Sequence, residues 1–164
     1  MRIKEIIKSQ YYASLEMLRQ AVVGCPDSLW RDPEYKNPFW HIAYHAVFYT
    51  HFYLHASEED FVPWEKQRPA YRSLEGPGRE VEDQVPYSKE EILAYLGLCL
   101  EQMGEQVDAL DLEAGSGFYW LPFDKLELQF YNIRHLQQHT GELCERLGAR
   151  GDVEVDWVGR KPAG

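Results

Sequence analysis

Residues 39–55 read Phe-Trp-His-Ile-Ala-Tyr-His-Ala-Val-Phe-Tyr-Thr-His-Phe-Tyr-Leu-His, and this aromatic stretch decides the fold. Apolar side chains lie on every side of a helix with this sequence, so the helix must be buried against its neighbours. Asn37 and Pro38 predict an N-cap and a first-turn proline, and the helix should continue to about His55. Burial on all sides is typical of a helix inside a bundle.

Three further helices are predicted around it. Apolar residues at helical spacing indicate a first helix from near Arg2 to Val23. A capping box, Ser88-Lys-Glu-Glu91, opens the third helix, and Asp124-Lys-Leu-Glu127 opens a fourth that ends near Leu147-Gly148. The residues expected to point inward are Ile7, Tyr11, Leu15, Leu18 and Val22 in the first helix, and Ile92, Leu96, Cys99, Met103, Val107 and Leu110 in the third.

The connections between these helices define the architecture. Residues 57–87 contain several prolines and glycines without a sustained period, which predicts a long crossover between helices 2 and 3. A crossover of this length can return the chain to its starting end, so helices 2 and 3 can run parallel. We therefore predict one all-α domain over residues 1–164, a four-helix bundle, with an irregular tail at 149–164 from which Val155 and Trp157 dock on the bundle.

Charge and cysteine content exclude several classes of protein. The chain carries 17 Lys and Arg against 27 Asp and Glu, and a net charge of −10 repels nucleic acid and anionic membrane surfaces. Three cysteines without Cys-x-x-Cys spacing, and an amphipathic N-terminus, predict a cytoplasmic protein with reduced thiols. No apolar run approaches the roughly 20 residues of a membrane span.

Two histidines at a four-residue spacing, His135 and His139, are the strongest chemical signal. Four residues are about one helical turn, so both imidazoles lie on one face and can share a metal ion. The alternative is a pair of partly buried histidines that hydrogen bond to neighbouring residues. A metal site needs a third ligand, and the remaining histidines all lie in helix 2.

Helix 2 offers two pairs of histidines. His41 and His45 share one face, while His51 and His55 share another about 80° away. We expect His51 and His55 to lie on a solvated face near the helix end. Because burying an unpaired imidazole costs a few kcal/mol, metal coordination is one explanation for the first pair. The residues alone do not choose between His41 and His45.

These features resemble the DinB/YfiT-like metalloenzymes. The resemblance is carried by the bundle with its long connection after helix 2, by the segment from Phe39 to Tyr49, and by His135-Leu-Gln-Gln-His-Thr-Gly-Glu-Leu143. In that family one helix 2 histidine joins two in helix 4 to hold a divalent ion. The resemblance implies His45, His135 and His139 as ligands and zinc or nickel as the metal, with iron as a further candidate.

The chain departs from the family at the end of the last motif. Relatives often read His-Arg-Gly-Gln, whereas this chain reads His139-Thr-Gly-Glu142. Glu142 is thus the one candidate catalytic residue, and it has three interpretations: a partner of a ligand, a general base, or a solvated helix residue.

The resemblance implies an enzyme that uses the metal for one of two reactions. Either a low-molecular-weight thiol is activated for transfer or isomerisation, or a water is activated for hydrolysis. The alternative is a non-catalytic bundle that binds a metal or small ligand as a sensor or stress-associated protein. The expected partners are a small-molecule substrate and a second copy of the chain in a homodimer. Four aromatic residues are candidates to line a pocket over the metal or to pack in the core: Tyr44, Tyr49, Phe118 and Trp120.

Overall fold

Four long helices form the body of the protein in the computed structural model, which describes residues 2–75 and 85–162. The α-helices in chain order are α1 (Arg2–Gly24), the short α2 (Asp27–Trp30), α3 (Phe39–Tyr53), α4 (Lys89–Ala109) and α5 (Lys125–Arg146). A 3-10 turn (Pro69–Tyr71) lies between α3 and α4, and a π-helical turn (Leu147–Gly151) follows α5. Because these described ranges contain helices and no extended strand, the all-α bundle is confirmed.

Local capping accounts for the starts of α4 and α5, as predicted. The Ser88 hydroxyl accepts a hydrogen bond from the Glu91 amide at 3.2 Å, and the Glu91 carboxylate accepts from the Ser88 amide at 2.9 Å. At α5, the Asp124 carboxylate accepts from the Glu127 amide at 2.8 Å. These bonds satisfy amides that have no partner inside the helix.

The start of α3 differs from the prediction. Pro38, not Asn37, occupies the N-cap position, with φ −62° and ψ 159°, and the helix begins at Phe39. The proline ring fixes φ, and the Pro38 carbonyl accepts the first helical hydrogen bonds from the His41 and Ile42 amides. The proline thus sets the start of the helix without a side-chain cap.

The long connection allows α3 and α4 to run parallel. The Trp40 ring near the start of α3 lies 6.3 Å from Tyr87, just before α4, and the His51 ring further along lies 5.5 Å from Tyr95 of α4. Both helices therefore advance in the same direction, as the crossover length suggested. Residues 76–84 of the connection, including predicted breakers at Gly76, Pro77 and Gly78, lie outside the described residues.

Helix α3 forms the centre of the core. Every residue of α3 is buried except Tyr49, which is half-buried. Cys99 of α4 is fully buried against this core, as predicted. None of the helices in the described ranges is long and apolar enough to cross a membrane.

Three further details differ from the prediction: an additional short helix, the end of α3 and one contact of the tail. The segment after α1 contains the short helix α2, which the sequence pattern did not indicate, and α3 ends at Tyr53 rather than His55. In the tail, Val155 packs against the core, but Trp157 remains 78% exposed, so its predicted docking is wrong.

Candidate metal centre

The candidate site lies between α3 and α5, which run antiparallel. Asn132 Nδ2 donates to the Thr50 carbonyl at 3.1 Å, and Lys125 Nζ donates to the Ala56 carbonyl at 2.6 Å. Residues with increasing numbers along α3 therefore lie beside residues with decreasing numbers along α5. This register places His45 beside the part of α5 that carries the histidine pair.

The structure brings together three histidines that the sequence singled out: His45, His135 and His139. One ring nitrogen from each lies within 4.8 Å of the other two. The Nε2 atoms of His45 and His135 are 3.1 Å apart, and the His139 ring centroid lies 4.8 Å from that of His45 and 4.7 Å from that of His135. His45 and His139 are buried, and His135 is half-buried.

A backbone carbonyl orients His45. Its Nδ1 lies 2.7 Å from the carbonyl oxygen of Arg72, in the connection after α3. Because a carbonyl oxygen only accepts hydrogen bonds, Nδ1 must carry the proton. The lone pair of a neutral His45 is therefore on Nε2, which points into the cluster.

A carboxylate orients His139. Its Nδ1 lies 3.3 Å from Glu142 Oε2, and the other oxygen of Glu142 accepts from Arg146 at 2.7 Å. The Arg146 guanidinium is held over the Tyr35 ring, 4.0 Å from its centroid, and donates to the Asn37 carbonyl. Metal-binding histidines usually donate their Nδ1 proton to such an outer partner, a carbonyl or a carboxylate oxygen.

Burial keeps His45 and His135 neutral. Desolvation, reinforced by the positive charge that His135 would carry, lowers the pKa of His45 to about 3. Desolvation, with a smaller contribution from His139, lowers the pKa of His135 to about 4. Both imidazoles therefore keep a lone pair at neutral pH, which coordination requires.

These residues fit a divalent metal ion. Ligand nitrogens at ~2.0–2.1 Å from a tetrahedral ion are roughly 3.3 Å apart, close to the 3.1 Å between the Nε2 atoms of His45 and His135. The buried Nδ1 of His135 has no hydrogen-bond partner among the described residues. Three imidazoles are a donor set that suits zinc, nickel and iron and leaves coordination positions open.

A pocket of about 340 Å³ adjoins the cluster. It is bounded by aromatic rings from α3, by Arg72 and Ser73, and by the loop before α5. Tyr49 connects the pocket to the site, since its ring lies 4.8 Å from His45 and 5.5 Å from His135. The lining residues are Phe48, Tyr49, Phe52, Tyr53, Glu58, Arg72, Ser73, Tyr119 and Trp120.

A glycine fixes the loop that carries the pocket aromatics Tyr119 and Trp120. Gly117 has φ +82°, a conformation that L side chains rarely adopt, and a Cβ there would collide with the Ala56 carbonyl. A glycine at this position therefore allows the loop to approach the end of α3 closely. This approach holds Trp120 over the end of α3, where its ring stacks 6.3 Å from Phe52.

The other histidines of the aromatic segment, which forms α3 and the residues just after it, lie outside the cluster. His41 is fully buried, stacks on Trp40 and has its Nε2 2.8 Å from the Tyr71 carbonyl. His51 is also buried, with Nδ1 3.0 Å from the Tyr95 hydroxyl. The predicted solvated face is wrong for His51 because Phe61 and Tyr95 cover it.

His55 closes the end of α3 in a half-buried position. Its Nδ1 lies 2.8 Å from the His51 carbonyl. The imidazole thus gives the His51 carbonyl a second donor beside the Leu54 amide, which lies 3.3 Å away.

Of the four candidate pocket aromatics, Tyr49 and Trp120 line the pocket, while Tyr44 and Phe118 are buried in the core. Two groups that support the ligands, the Arg146 guanidinium and the Arg72 carbonyl, were not predicted from the sequence. Arg146 stands four residues after Glu142, and this spacing is a recognisable ion-pair signal. The Arg72 carbonyl has no such signal, because a backbone atom in an irregular connection leaves no trace in the sequence.

Comparison with known families gave one match. A family model described as the DinB superfamily matches residues 10–143, which include α3, α5 and all three clustered histidines. No curated protein and no solved structure gave a significant match.

Proposed function

The chain belongs to the DinB superfamily, and on that premise we propose that it is a metal-dependent enzyme in which His45, His135 and His139 bind one divalent ion. The observation that carries the proposal is the convergence of three histidine ring nitrogens within 4.8 Å beside an aromatic pocket. Zinc and nickel are the first candidates, and iron is the third.

The residues around the ligands have distinct roles in this proposal. The Arg72 carbonyl and the Glu142 carboxylate keep the Nδ1 protons of His45 and His139 in place, so the Nε2 lone pairs stay available. Tyr49 and the neighbouring rings would contact a small substrate beside the ion. Glu142 is thus a positioning residue, because Arg146 and His139 already engage both of its oxygens.

Two reactions are compatible with this arrangement. A water or a small thiol at an open coordination position would have a lowered pKa and act as a nucleophile at neutral pH. The thiol reaction would be a transfer or an isomerisation, and the water reaction a hydrolysis. The aromatic pocket would hold the electrophile in either case.

A second candidate function is non-catalytic binding of a metal or small ligand. The observation in its favour is that the carboxylate in contact with the cluster, Glu142, is committed to His139 and Arg146. Among the described residues, no carboxylate joins the three histidines in a group that could hold a metal. Tight metal binding without turnover would favour this function.

The test is the metal content of untagged protein after loading with zinc, nickel or iron. We expect about one ion per chain in the wild type and none in His45→Ala. His41→Ala is the matched control, since His41 lies one turn away on the same helix but contacts the Tyr71 carbonyl. It should keep the metal, with circular dichroism confirming that both variants fold.

Two results would overturn the proposal. One is a wild-type protein that retains no ion under any loading condition. The other is loss of the metal in His41→Ala but not in His45→Ala, which would place the site one turn earlier in α3.

A further inference from the structure

The pocket beside the histidine cluster is mainly aromatic but contains a cation. Six of its nine lining residues are aromatic, among them Phe48, Tyr49, Phe52 and Trp120, and polar atoms contribute most of the lining that is open to a ligand. Arg72 lines the same space, and its main chain also holds His45 through the 2.7 Å contact of its carbonyl. One residue therefore contributes both to the proposed metal site and to the charge of the pocket.

The Arg72 guanidinium lies close enough to Tyr49 to act on it electrostatically. Burial raises the pKa of the Tyr49 hydroxyl, and the positive charge of Arg72 partly offsets that rise. Tyr49 in turn packs against His45 and His135. Arg72 and Tyr49 thus line the same pocket, and Tyr49 connects that pocket to the cluster.

No carboxylate among the described residues pairs with Arg72, although the chain has an acidic excess. Three arginines are paired with carboxylates: Arg19 with Glu16, Arg146 with Glu142, and Arg150 with Asp32 and Glu34. Glu58 lines the same pocket, but its amide donates to the Gly117 carbonyl at 3.2 Å, which places it at the end formed by the loop before α5. The pocket lining therefore includes one cationic side chain, Arg72, and one acidic side chain, Glu58.

We propose that this pocket binds a small substrate that bears a carboxylate and an apolar body, with the carboxylate on the Arg72 guanidinium and the body against the aromatic rings. The planar guanidinium suits bidentate binding of a carboxylate, and rings of this kind stack on flat apolar groups. A volume of about 340 Å³ admits a molecule of one ring. The inference rests on the proposed function, because it assigns the substrate class of the same site.

The experiment compares phenylacetate with the neutral phenylacetamide by isothermal titration calorimetry. Neither probe has a thiol, and each is titrated into zinc-loaded and chelator-treated protein. We expect phenylacetate to bind more tightly to the wild type and Arg72→Gln to lose about tenfold of that affinity. Arg72→Lys should fall between them, since lysine keeps the charge but not the fork geometry.

Arg134→Gln is the matched control. It removes one positive charge from the outer surface of α5, away from this pocket, and should leave phenylacetate affinity unchanged. Both glutamine variants preserve the main chain, including the Arg72 carbonyl that orients His45. Circular dichroism and metal content would confirm that each variant is folded and loaded like the wild type.

The outcomes separate the two proposals. Arg72-dependent binding in protein that retains no metal under any loading would support the pocket assignment and refute the metal enzyme. Carboxylate binding seen only with zinc, and unchanged in Arg72→Gln, would show that the ion takes the carboxylate and would overturn this inference alone. Equal affinity for the two probes, or no binding of either, would also overturn it.

Discussion

Replacing Glu142 by alanine should weaken zinc binding about tenfold while the helix bundle stays folded. Loss of an outer partner of a ligating histidine typically costs 10–100-fold in metal affinity. The lower end applies here, because the Nδ1 to Oε2 distance is 3.3 Å and the Glu142 side chain is 42% exposed, so water can replace part of the contact. Tenfold corresponds to about 1.4 kcal/mol of binding free energy.

The stability cost of this variant should be much smaller. The ion pair between Glu142 and Arg146 is an i,i+4 helix pair with one exposed partner, and such pairs contribute ~0.3–0.5 kcal/mol. Arg146 also keeps its contacts with the Asn37 carbonyl and the Tyr35 ring. The unfolding transition in urea should therefore hardly move.

Competition with a chromogenic zinc chelator measures the affinity directly. Glu142→Gln should lose less than Glu142→Ala, because its amide oxygen still accepts from His139. Glu145→Ala, an exposed acid three residues further along α5, controls for the change in net charge and should bind zinc like the wild type. Equal affinity of Glu142→Ala and wild type would refute the role assigned to Glu142.

The remaining predictions concern the open coordination position, a buried lysine and a buried histidine. In cobalt-substituted protein a small thiol should produce a sulfur-to-metal charge-transfer band that disappears in His139→Ala, whereas turnover that rises through one ionisation near neutral pH without thiol would indicate activated water instead. Lys125→Met should lower the free energy of unfolding by ~2–3 kcal/mol in urea titrations, because the ammonium donates to the carbonyls of His55, Ala56 and Ser116 in a buried setting; an unchanged midpoint would contradict this. Burial lowers the pKa of His51 to about 4, so the folded state resists protonation that the unfolded chain accepts below about pH 6.5. Stability should therefore fall as the pH drops from about 6.5 to 4, by up to ~1.4 kcal/mol per pH unit from this residue, and His51→Asn should show a shallower slope.

Local signals in the sequence predicted the helices well. The capping box at Ser88 and Glu91 involves only neighbouring residues, so it forms wherever the chain is placed. Because the aromatic segment of α3 has apolar side chains on all sides, it predicted a helix buried inside a bundle. The spacing of His135 and His139 likewise fixed their common face without knowledge of the partner helix.

Contacts between distant segments could not be predicted in the same way. His41 and His45 share a face of α3, but His41 contacts the Tyr71 carbonyl and His45 contacts His135 in the cluster. This difference depends on the register with α5 and on the position of the connection after α3. His51 was expected in solvent because its coverage comes from Phe61 and Tyr95, which lie 10 and 44 positions away in sequence. The hydrophobic pattern of one helix contains no information about distant residues that bury it.

The connection after α3 would link the two proposed binding events through one residue. Arg72 uses its carbonyl to fix His45 and its side chain to line the pocket, so a metal that tightens the carbonyl contact also fixes the place of the guanidinium. Thermodynamic linkage makes this effect reciprocal: a carboxylate that orders the connection must raise metal affinity by the same factor by which the metal raises carboxylate affinity. Substrate and metal would then retain each other, and the protein would release its metal most readily when the pocket is empty.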